Sequence, residues 1–184
     1  MLITNHVLAG ALIGTAVRRP GAAFVVGVAS HFAMDVVPHW GEERIFLRVA
    51  VVDGLVGAAV MATVAATAPP GRRASVVAGM VGACLPDTDK PSEMFFGRSP
   101  FPPALDAWHK RIQRESPRRL LQEPVVAAAS ALLLRRVWRG RAAEGVRARG
   151  RGRGRGGQPR SSGARDRPTG GPGDQRWVRS AGGW

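Results

Sequence analysis

Apolar residues gather into long continuous segments over the first 137 positions, separated by short breaks that contain Pro, Gly or charged residues. The segments are rich in Ala, Val, Leu and Gly, and none shows the strict apolar/polar alternation of a half-buried β-strand. This pattern predicts an all-α fold. Five helices are predicted, over residues 2–17, 22–37, 46–68, 74–85 and 120–137.

The apolar character of these segments favours a membrane-associated bundle. Crossing a bilayer takes about 20 apolar helical residues, a length that only segment 46–68 comfortably reaches. The shorter segments could be core helices of a soluble bundle, but they are apolar nearly all round, and a body of this size has few helices to cover them. We therefore expect a multi-pass, membrane-associated bundle of about five helices, with membrane lipids as partners.

The amino-acid composition and charge of the chain change after its last apolar segment. From Arg135 onward fourteen arginines face three acidic residues, so this part carries most of the net charge of +14. Residues 138–184 are mainly Gly, Arg, Pro and Ser and have little to bury, which predicts a disordered tail after a helical domain of residues 1–137. The arginines either attract nucleic acid or anionic lipid headgroups, or the tail is a solvated extension with no binding role.

Two histidines and an aspartate lie in register within the apolar stretch SHFAMDVVPHW, residues 30–40. His31 and Asp35 are four residues apart, so on a helix their side chains share one face, about 6 Å apart along the axis. Pro38 disfavours a helical conformation at the preceding residue, so the helix should end there and His39 can fold back toward the pair. Because buried imidazole and carboxylate groups need partners, the pattern indicates either a shared metal ion or a His–Asp hydrogen bond.

Further histidines and aspartates should converge at the same end of the bundle. If consecutive helices run antiparallel, the starts of the first and third helices meet the ends of the second and fourth. The arginine pairs at 18–19, 72–73 and 135–136 then map to the opposite end, which we call the arginine end. The candidate metal ligands that map together are His6, His31, Asp35, His39, Asp53, Asp87 and Asp89.

The types of candidate ligand residue limit which metal cofactor the chain could bind. Cys84 is the only cysteine, so the chain has neither a disulfide framework nor a cysteine-based zinc knuckle. Histidines with carboxylates suit zinc, manganese or iron, and a divalent metal, zinc first, is the expected cofactor. Such a site with an open coordination position supports phosphoester hydrolysis, with Asp35 and Asp87 as candidate catalytic residues. The same cluster could equally form a proton or cation relay, and the residues alone leave both open.

Three short motifs give the chain a resemblance to a known family. They are NHVLAG at residues 5–10, HFAMDVVPH at residues 31–39 and LPDTD at residues 85–89. Together they resemble the YdjM-type family, bacterial inner-membrane proteins described as membrane-bound metal-dependent hydrolases. The second motif is also similar to the metal-binding helix of zinc-dependent phospholipase C. The resemblance implies a multi-pass helical bundle whose metal ligands are His6, His31, Asp35, His39, Asp87 and Asp89.

The polar segment over residues 87–119 is expected to form a long loop above this cluster. WHKR at residues 108–111 lies where the YdjM-type family carries a second histidine-containing motif, and Lys90 stands where that family often has a histidine. The basic side chains of the segment would clamp a phosphate-containing substrate, or they form a solvated face or meet lipid headgroups. The candidate substrate-binding residues are His109, Lys110, Arg111 and Arg114.

These observations favour a membrane-bound, metal-dependent hydrolase of a phosphoester or lipid-like substrate. We expect it in a bacterial-type inner membrane, with the basic tail in the cytoplasm. The competing class is a non-enzymatic membrane protein, a cation or proton carrier or a scaffold, with the same polar cluster. A nucleic-acid-tethering protein is a third class, which depends on the tail alone.

Overall fold

The computed structural model of the protein describes residues 1–42 and 44–155. In this part of the chain no β-strand occurs, and the all-α prediction is confirmed. The first four predicted helices agree with the observed ones to within about two residues at each end. The helices are α1 (Ile3–Ala16), α2 (Pro20–Val36), α3 (Phe46–Thr67), α4 (Arg73–Cys84), α5 (Asp89–Phe96), α6 (Pro103–Ile112) and α7 (Gln122–Arg155).

Prolines and one long-range cap define the first helix ends. Pro20 occupies the first turn of α2, where its missing N–H is not needed, and Pro38 lies just beyond the end of the same helix. The start of α1 is capped from another helix. Asp53 of α3 accepts hydrogen bonds from the Ile3 N–H at 2.5 Å and from the Thr4 hydroxyl at 2.6 Å. This cap fixes the start of α1 against α3.

Glycines allow α4 to pack closely between α1 and α2. A Cβ atom on Gly10 of α1 or on Gly79 of α4 would meet the backbone of the other helix at a separation that real Cβ atoms do not show. Gly27 of α2 faces the same part of α4. Any larger side chain at these positions would force the helices apart, so the glycines set the position of α2 relative to α1.

Hydrogen bonds at the two ends of α1 establish the direction of the helices. Near its start, α1 is bonded to Asp53 and to Glu123 at the beginning of α7. Near its end, Trp138 of α7 donates to Thr15 of α1. Helices α1, α3 and α7 therefore run in the same direction, while α2 and α4 return. The buried core between them consists of Val7, Ala11, Val64, Ala68, Val76, Met80 and Leu134.

Two regions differ from the sequence-based expectation. The segment 87–119, expected as a long loop, contains α5 and α6, because Pro103 favours a helix start and Gly97, with φ of 70°, provides the left-handed residue that ends α5. Helix α7 continues through Arg155, beyond the predicted end at residue 137, since Ala and Arg support extension of a helix already formed. The rest of the predicted tail, residues 156–184, lies outside the described residues.

One described helix, α3, is long and apolar enough to cross a membrane, with a mean hydropathy of 2.0 over its most apolar window. Only 17 % of that window is buried, whereas the core helix of a soluble protein would be mostly covered. Helices α1 and α2 are also apolar but shorter. Exposed apolar side chains such as Val52 and Leu55, at 61 % and 70 % exposure, form a continuous face on α3.

Candidate metal centre

Side chains from four helical elements meet in one buried group near the start of α1. Helix α2 supplies His31 and Asp35 on one face, as their four-residue spacing requires. Helix α6 supplies His109, and the short 3₁₀ turn Leu85–Thr88 supplies Asp87. One ligand atom from each of these four residues lies within 4.8 Å of the others, so the group could hold a metal ion. We call these four residues, together with His6 of α1, the His/Asp cluster.

The carboxylate of Asp35 is the centre of the cluster. His31 Nε2 lies 3.2 Å and His109 Nε2 lies 3.0 Å from Asp35 Oδ2, and His6 Nε2 lies 3.3 Å from Asp35 Oδ1. The two Nε2 atoms of His31 and His109 are 3.1 Å apart. Three imidazoles therefore present the same ring nitrogen to a single carboxylate, and Asp35, His6 and His31 have no exposed surface.

The outer contacts of two imidazoles orient them for metal binding. His31 Nδ1 lies 2.8 Å from the backbone oxygen of Ala83. Because a carbonyl oxygen only accepts, the proton of neutral His31 belongs on Nδ1, and the lone pair of Nε2 faces the cluster. His109 Nδ1 lies 3.7 Å from Asp89 Oδ2. A carbonyl or carboxylate beyond each imidazole is the outer arrangement that metal-binding histidines usually have.

The imidazole of His6 is buried beside His31 and Asp35. Its ring stacks on that of His31 with centroids 4.1 Å apart, and neither of its nitrogens forms a hydrogen bond of acceptable geometry within the described part of the chain. Leaving a buried polar group unsatisfied costs about 1–3 kcal/mol. A cation shared with the carboxylates would satisfy the His6 Nε2 atom, which lies 3.3 Å from Asp35 Oδ1.

Distances within the cluster fit those of a metal site. With zinc bonds of about 2.0–2.1 Å, neighbouring ligand atoms of a tetrahedron lie about 3.3 Å apart. In octahedral coordination the spacing is about 3.0 Å. The separations among His31, Asp35 and His109, 3.0–3.2 Å, fall in this range. Imidazole nitrogens with carboxylate oxygens are also donors suited to zinc, manganese or iron.

The charged groups of the cluster shift one another's pKa values. Burial lowers the pKa of His109, but its hydrogen bond to Asp35 and the nearby Asp89 carboxylate outweigh burial and raise the pKa to about 9. Burial raises the pKa of Asp87, yet the nearby Lys90, whose Nζ lies 3.0 Å from Asp87 Oδ1, and the cluster histidines hold it below its usual value. The metal-free cluster therefore balances buried carboxylates with a protonated His109.

The other predicted ligands lie outside this group of atoms. Asp53 caps α1 through Ile3 and Thr4, as described above. His39 is buried, but its Nδ1 contacts the Val37 carbonyl at 2.8 Å and its backbone pairs with the 114–116 segment. Asp89 lies behind His109 rather than beside Asp35. Their roles as ligands stay predictions.

The four predicted substrate-binding residues have different environments. His109 is buried in the cluster, although the sequence placed it in a loop. Lys110 is exposed and its Nζ lies 3.6 Å from Glu93. The side chains of Arg111 and Arg114 are exposed on the same part of the surface, and the Arg114 backbone bonds to Asp35 and His39. Phosphate binding by these residues stays a prediction.

Sequence reasoning did not identify several residues that support the cluster. Gln113 Nε2 donates to Asp35 Oδ2 at 3.2 Å. Glu123, fully buried at the start of α7, accepts from the Leu2 N–H, the Asn5 amide and the Trp40 N–H. A glutamate next to a proline in an apolar segment was the only signal for this role. In this structure the Met1 amino group also lies 2.7 Å from Asp35 Oδ1.

An apolar cleft of about 480 Å³ adjoins the cluster. Its walls come from α3, α5 and the chain before α3, with Phe46, Val51 and Phe95 among the lining residues. Asp87 and Lys90 also line it, so a molecule in the cleft would have access to the edge of the cluster. The arrangement pairs an apolar chamber with a small set of charged groups at one side.

Comparison with known proteins found no match: no family model fits the chain, and no curated protein or solved structure is similar to it.

Proposed function

We propose that this protein is a membrane-associated, metal-dependent hydrolase that acts on a phosphoester or lipid-like substrate. The observation that carries the proposal is the convergence of His31, Asp35, Asp87 and His109 within 4.8 Å, next to an apolar cleft. The resemblance of the three sequence motifs to the YdjM-type family agrees with this function.

Each member of the cluster has a role in the proposed site. His31, Asp35 and His109 would hold a divalent metal, zinc first, with manganese or iron as alternatives, and the unpartnered His6 would complete the ligand set. Such an ion supplies Lewis-acid chemistry, because it polarises a phosphoryl oxygen and makes water more acidic. Asp35 remains ionised among three imidazoles and keeps their Nε2 atoms directed at one point.

Asp87 and Lys90 lie where the cluster opens to the cleft. The Asp87 side chain is 11 % exposed, unlike that of Asp35, so it is the carboxylate that an incoming water can reach. Its Oδ atoms can accept a proton from that water as a general base. Lys90 Nζ, 3.0 Å from Asp87, would bind a negatively charged group of the substrate.

The exposed apolar faces support the proposed membrane association. Helix α3 has the length of a membrane span and exposes most of its apolar window. We propose a multi-pass protein of a bacterial-type inner membrane, with α3 crossing the bilayer and the basic tail, residues 138–184, in the cytoplasm.

The nearly complete burial of Asp35, His6 and His31 favours a second candidate, a non-enzymatic cation site. A carrier or scaffold needs the same ligands but no water-accessible carboxylate. The two functions make the same prediction for metal content and different predictions for turnover.

Metal analysis of the detergent-purified full chain tests the site. We expect stoichiometric zinc or manganese in the wild type after loading and dialysis, and its loss in His31→Ala and in His109→Ala. Ser75→Ala is the control and should keep its metal, because the Ser75 hydroxyl donates to the Arg18 carbonyl at the arginine end, away from the group. A metal-free wild type, or full metal retention in His31→Ala, would exclude the proposed centre.

Turnover separates the hydrolase from the carrier. The metal-loaded wild type should hydrolyse a chromogenic phosphodiester, and Asp87→Asn should reduce the rate by about 10²-fold or more while most of the metal is kept. Metal binding without any turnover, for soluble and lipid phosphodiesters alike, would favour the cation site instead.

A further inference from the structure

A second apolar groove runs along the bundle away from the His/Asp cluster. It lies between α3 and α7, has a volume of about 860 Å³, and has Thr4 and Leu8 of α1 as its floor. Alanine, valine and threonine residues line most of it, among them Ala59 on α3 and Ala131 on α7. Two arginines of α7, Arg135 and Arg139, line the half of the groove nearer the arginine end.

Most of the polar side chains of the groove have partners within the protein. The Thr63 and Thr67 hydroxyls donate to backbone oxygens one turn earlier in α3, at 2.8 and 2.7 Å. Trp138 donates its indole N–H to Thr15 at 3.0 Å. Neither Arg135 nor Arg139 forms a salt bridge with any described side chain. The groove thus combines an apolar trough with two guanidinium groups whose charge is not neutralised there.

We propose that this groove binds an anionic phospholipid, with an acyl chain in the trough and the phosphate on Arg135 and Arg139. The two arginines are one helical turn apart on the same face, about 6 Å along the axis, so both can contact one phosphate group. Guanidinium groups bind phosphate oxygens through paired N–H donors, which gives the site its preference for an anionic headgroup.

The length of the groove matches one leaflet of a bilayer. From Val56 to Thr67 helix α3 rises about 17 Å, and half of a hydrocarbon core is about 15 Å thick. When α3 spans the membrane, its last residue Thr67 lies at the interface and Val56 lies near the middle. The groove therefore extends from the headgroup level to the bilayer centre, as an acyl chain does.

The arginine end supplies a basic surface around the proposed headgroup position. Arg141 donates to the Thr15 carbonyl at 2.9 Å, and Arg73 donates to the Ala66 carbonyl at 3.1 Å next to the end of α3. Burial of the Arg72 guanidinium lowers its pKa, and the nearby like charges of Arg141 and Arg18 lower it further. Clustered arginines with few acidic neighbours attract an anionic membrane surface. The phosphate of an anionic lipid would supply the negative charge that no described side chain gives Arg135 and Arg139 through a salt bridge.

Lipid retention tests this site independently of the metal centre. The full chain, purified in detergent, is mixed with phosphatidylglycerol or phosphatidylcholine and examined by native mass spectrometry. We expect wild type to retain phosphatidylglycerol in preference to phosphatidylcholine. Arg135→Ala/Arg139→Ala should weaken that retention about tenfold or more. Arg19→Ala/Arg136→Ala, two exposed arginines of the same end that do not line the groove, should retain the wild-type preference.

Filling the trough tests the acyl-chain part of the proposal. Ala131→Trp should abolish retention of phosphatidylglycerol, whereas Leu132→Trp, on an exposed position outside the groove, should not. Metal content should be unchanged in both variants, which also shows that they fold. Equal retention of the two lipids by wild type, or unchanged retention in Ala131→Trp, would overturn the proposal. Two other results would also overturn it. One is a dimer of the wild type that is lost in Ala131→Trp but kept in Leu132→Trp, and the other is displacement of the bound lipid by an oligonucleotide.

Discussion

Asp35 and His109 are 74 positions apart in the chain, yet Asp35 Oδ2 and His109 Nε2 lie 3.0 Å apart in a buried cluster. The contact is supported by the backbone, because the Arg114 N–H donates to the Asp35 carbonyl and Gln113 donates to the Asp35 carboxylate. The end of α6 is therefore held against the end of α2. This link brings an imidazole from a polar segment beside His31 and Asp35 of the apolar helix α2.

We predict that metal binding releases a proton from His109. In the metal-free protein the pKa of His109 is raised to about 9, so at pH 7 its ring is protonated. A histidine must lose its extra proton before it can ligate a metal, so zinc binding at pH 7 should release about one proton. The release should decline as the pH rises through about 9. Calorimetric titrations of the wild type with zinc in buffers of different ionisation enthalpy measure it, and zinc binding at pH 7 without proton release would contradict the prediction.

Glu123→Ala should destabilise the fold. Three donors would lose their acceptor, the N–H groups of Leu2 and Trp40 and the Asn5 amide. Buried donors left unsatisfied cost about 1–3 kcal/mol each, so the free energy of unfolding should fall by about 3 kcal/mol. Glu144→Ala, an exposed glutamate of the same helix, is the control and should change it little. Thermal unfolding in detergent followed by circular dichroism measures both, and equal melting temperatures would contradict the role of Glu123.

Gly10→Ala should destabilise the bundle, although alanine is the better helix former. Its Cβ would collide with the backbone of α4 at Gly79, and overpacking of this kind costs about 1–3 kcal/mol. Gly54→Ala is the matched control, since a Cβ there meets nothing within 4 Å. That variant should be neutral or more stable by up to about 1 kcal/mol. Thermal unfolding followed by circular dichroism compares the melting temperatures of the two variants with that of the wild type. A higher melting temperature for Gly10→Ala would show that α1 and α4 are not in close contact.

Leu55→Arg should remove the protein from the membrane fraction or lower its yield there. Leu55 is 70 % exposed near the middle of α3, where an arginine costs about 3 kcal/mol in the bilayer. Ile45→Arg, just before the same helix, should be tolerated because its side chain can reach the interface. Carbonate-resistant sedimentation of membranes provides the measurement. Wild type recovered as a monodisperse monomer in plain buffer would contradict membrane association altogether.

The local pattern of residues was sufficient for the helices. Apolar runs, together with prolines such as Pro20 and Pro38, placed four helices to within about two residues, since helix formation and termination depend on neighbours in the chain. The four-residue spacing of His31 and Asp35 likewise placed both side chains on one face without knowledge of the fold. The second half of the chain was less predictable, because the short amphipathic helices α5 and α6 have no long apolar run.

Only the tertiary structure decided which side chains share the cluster. The antiparallel order of the helices indicates at which end of the bundle a residue lies. It does not indicate which of several carboxylates at that end faces inward. Asp53 and Asp87 map to the same end, yet one caps α1 and the other lies beside the imidazoles. That difference depends on the rotation of each helix, which close contacts such as that between Gly10 and Gly79 determine. Separations of about 3 Å between residues far apart in sequence arise from packing, and packing is not encoded in any local pattern.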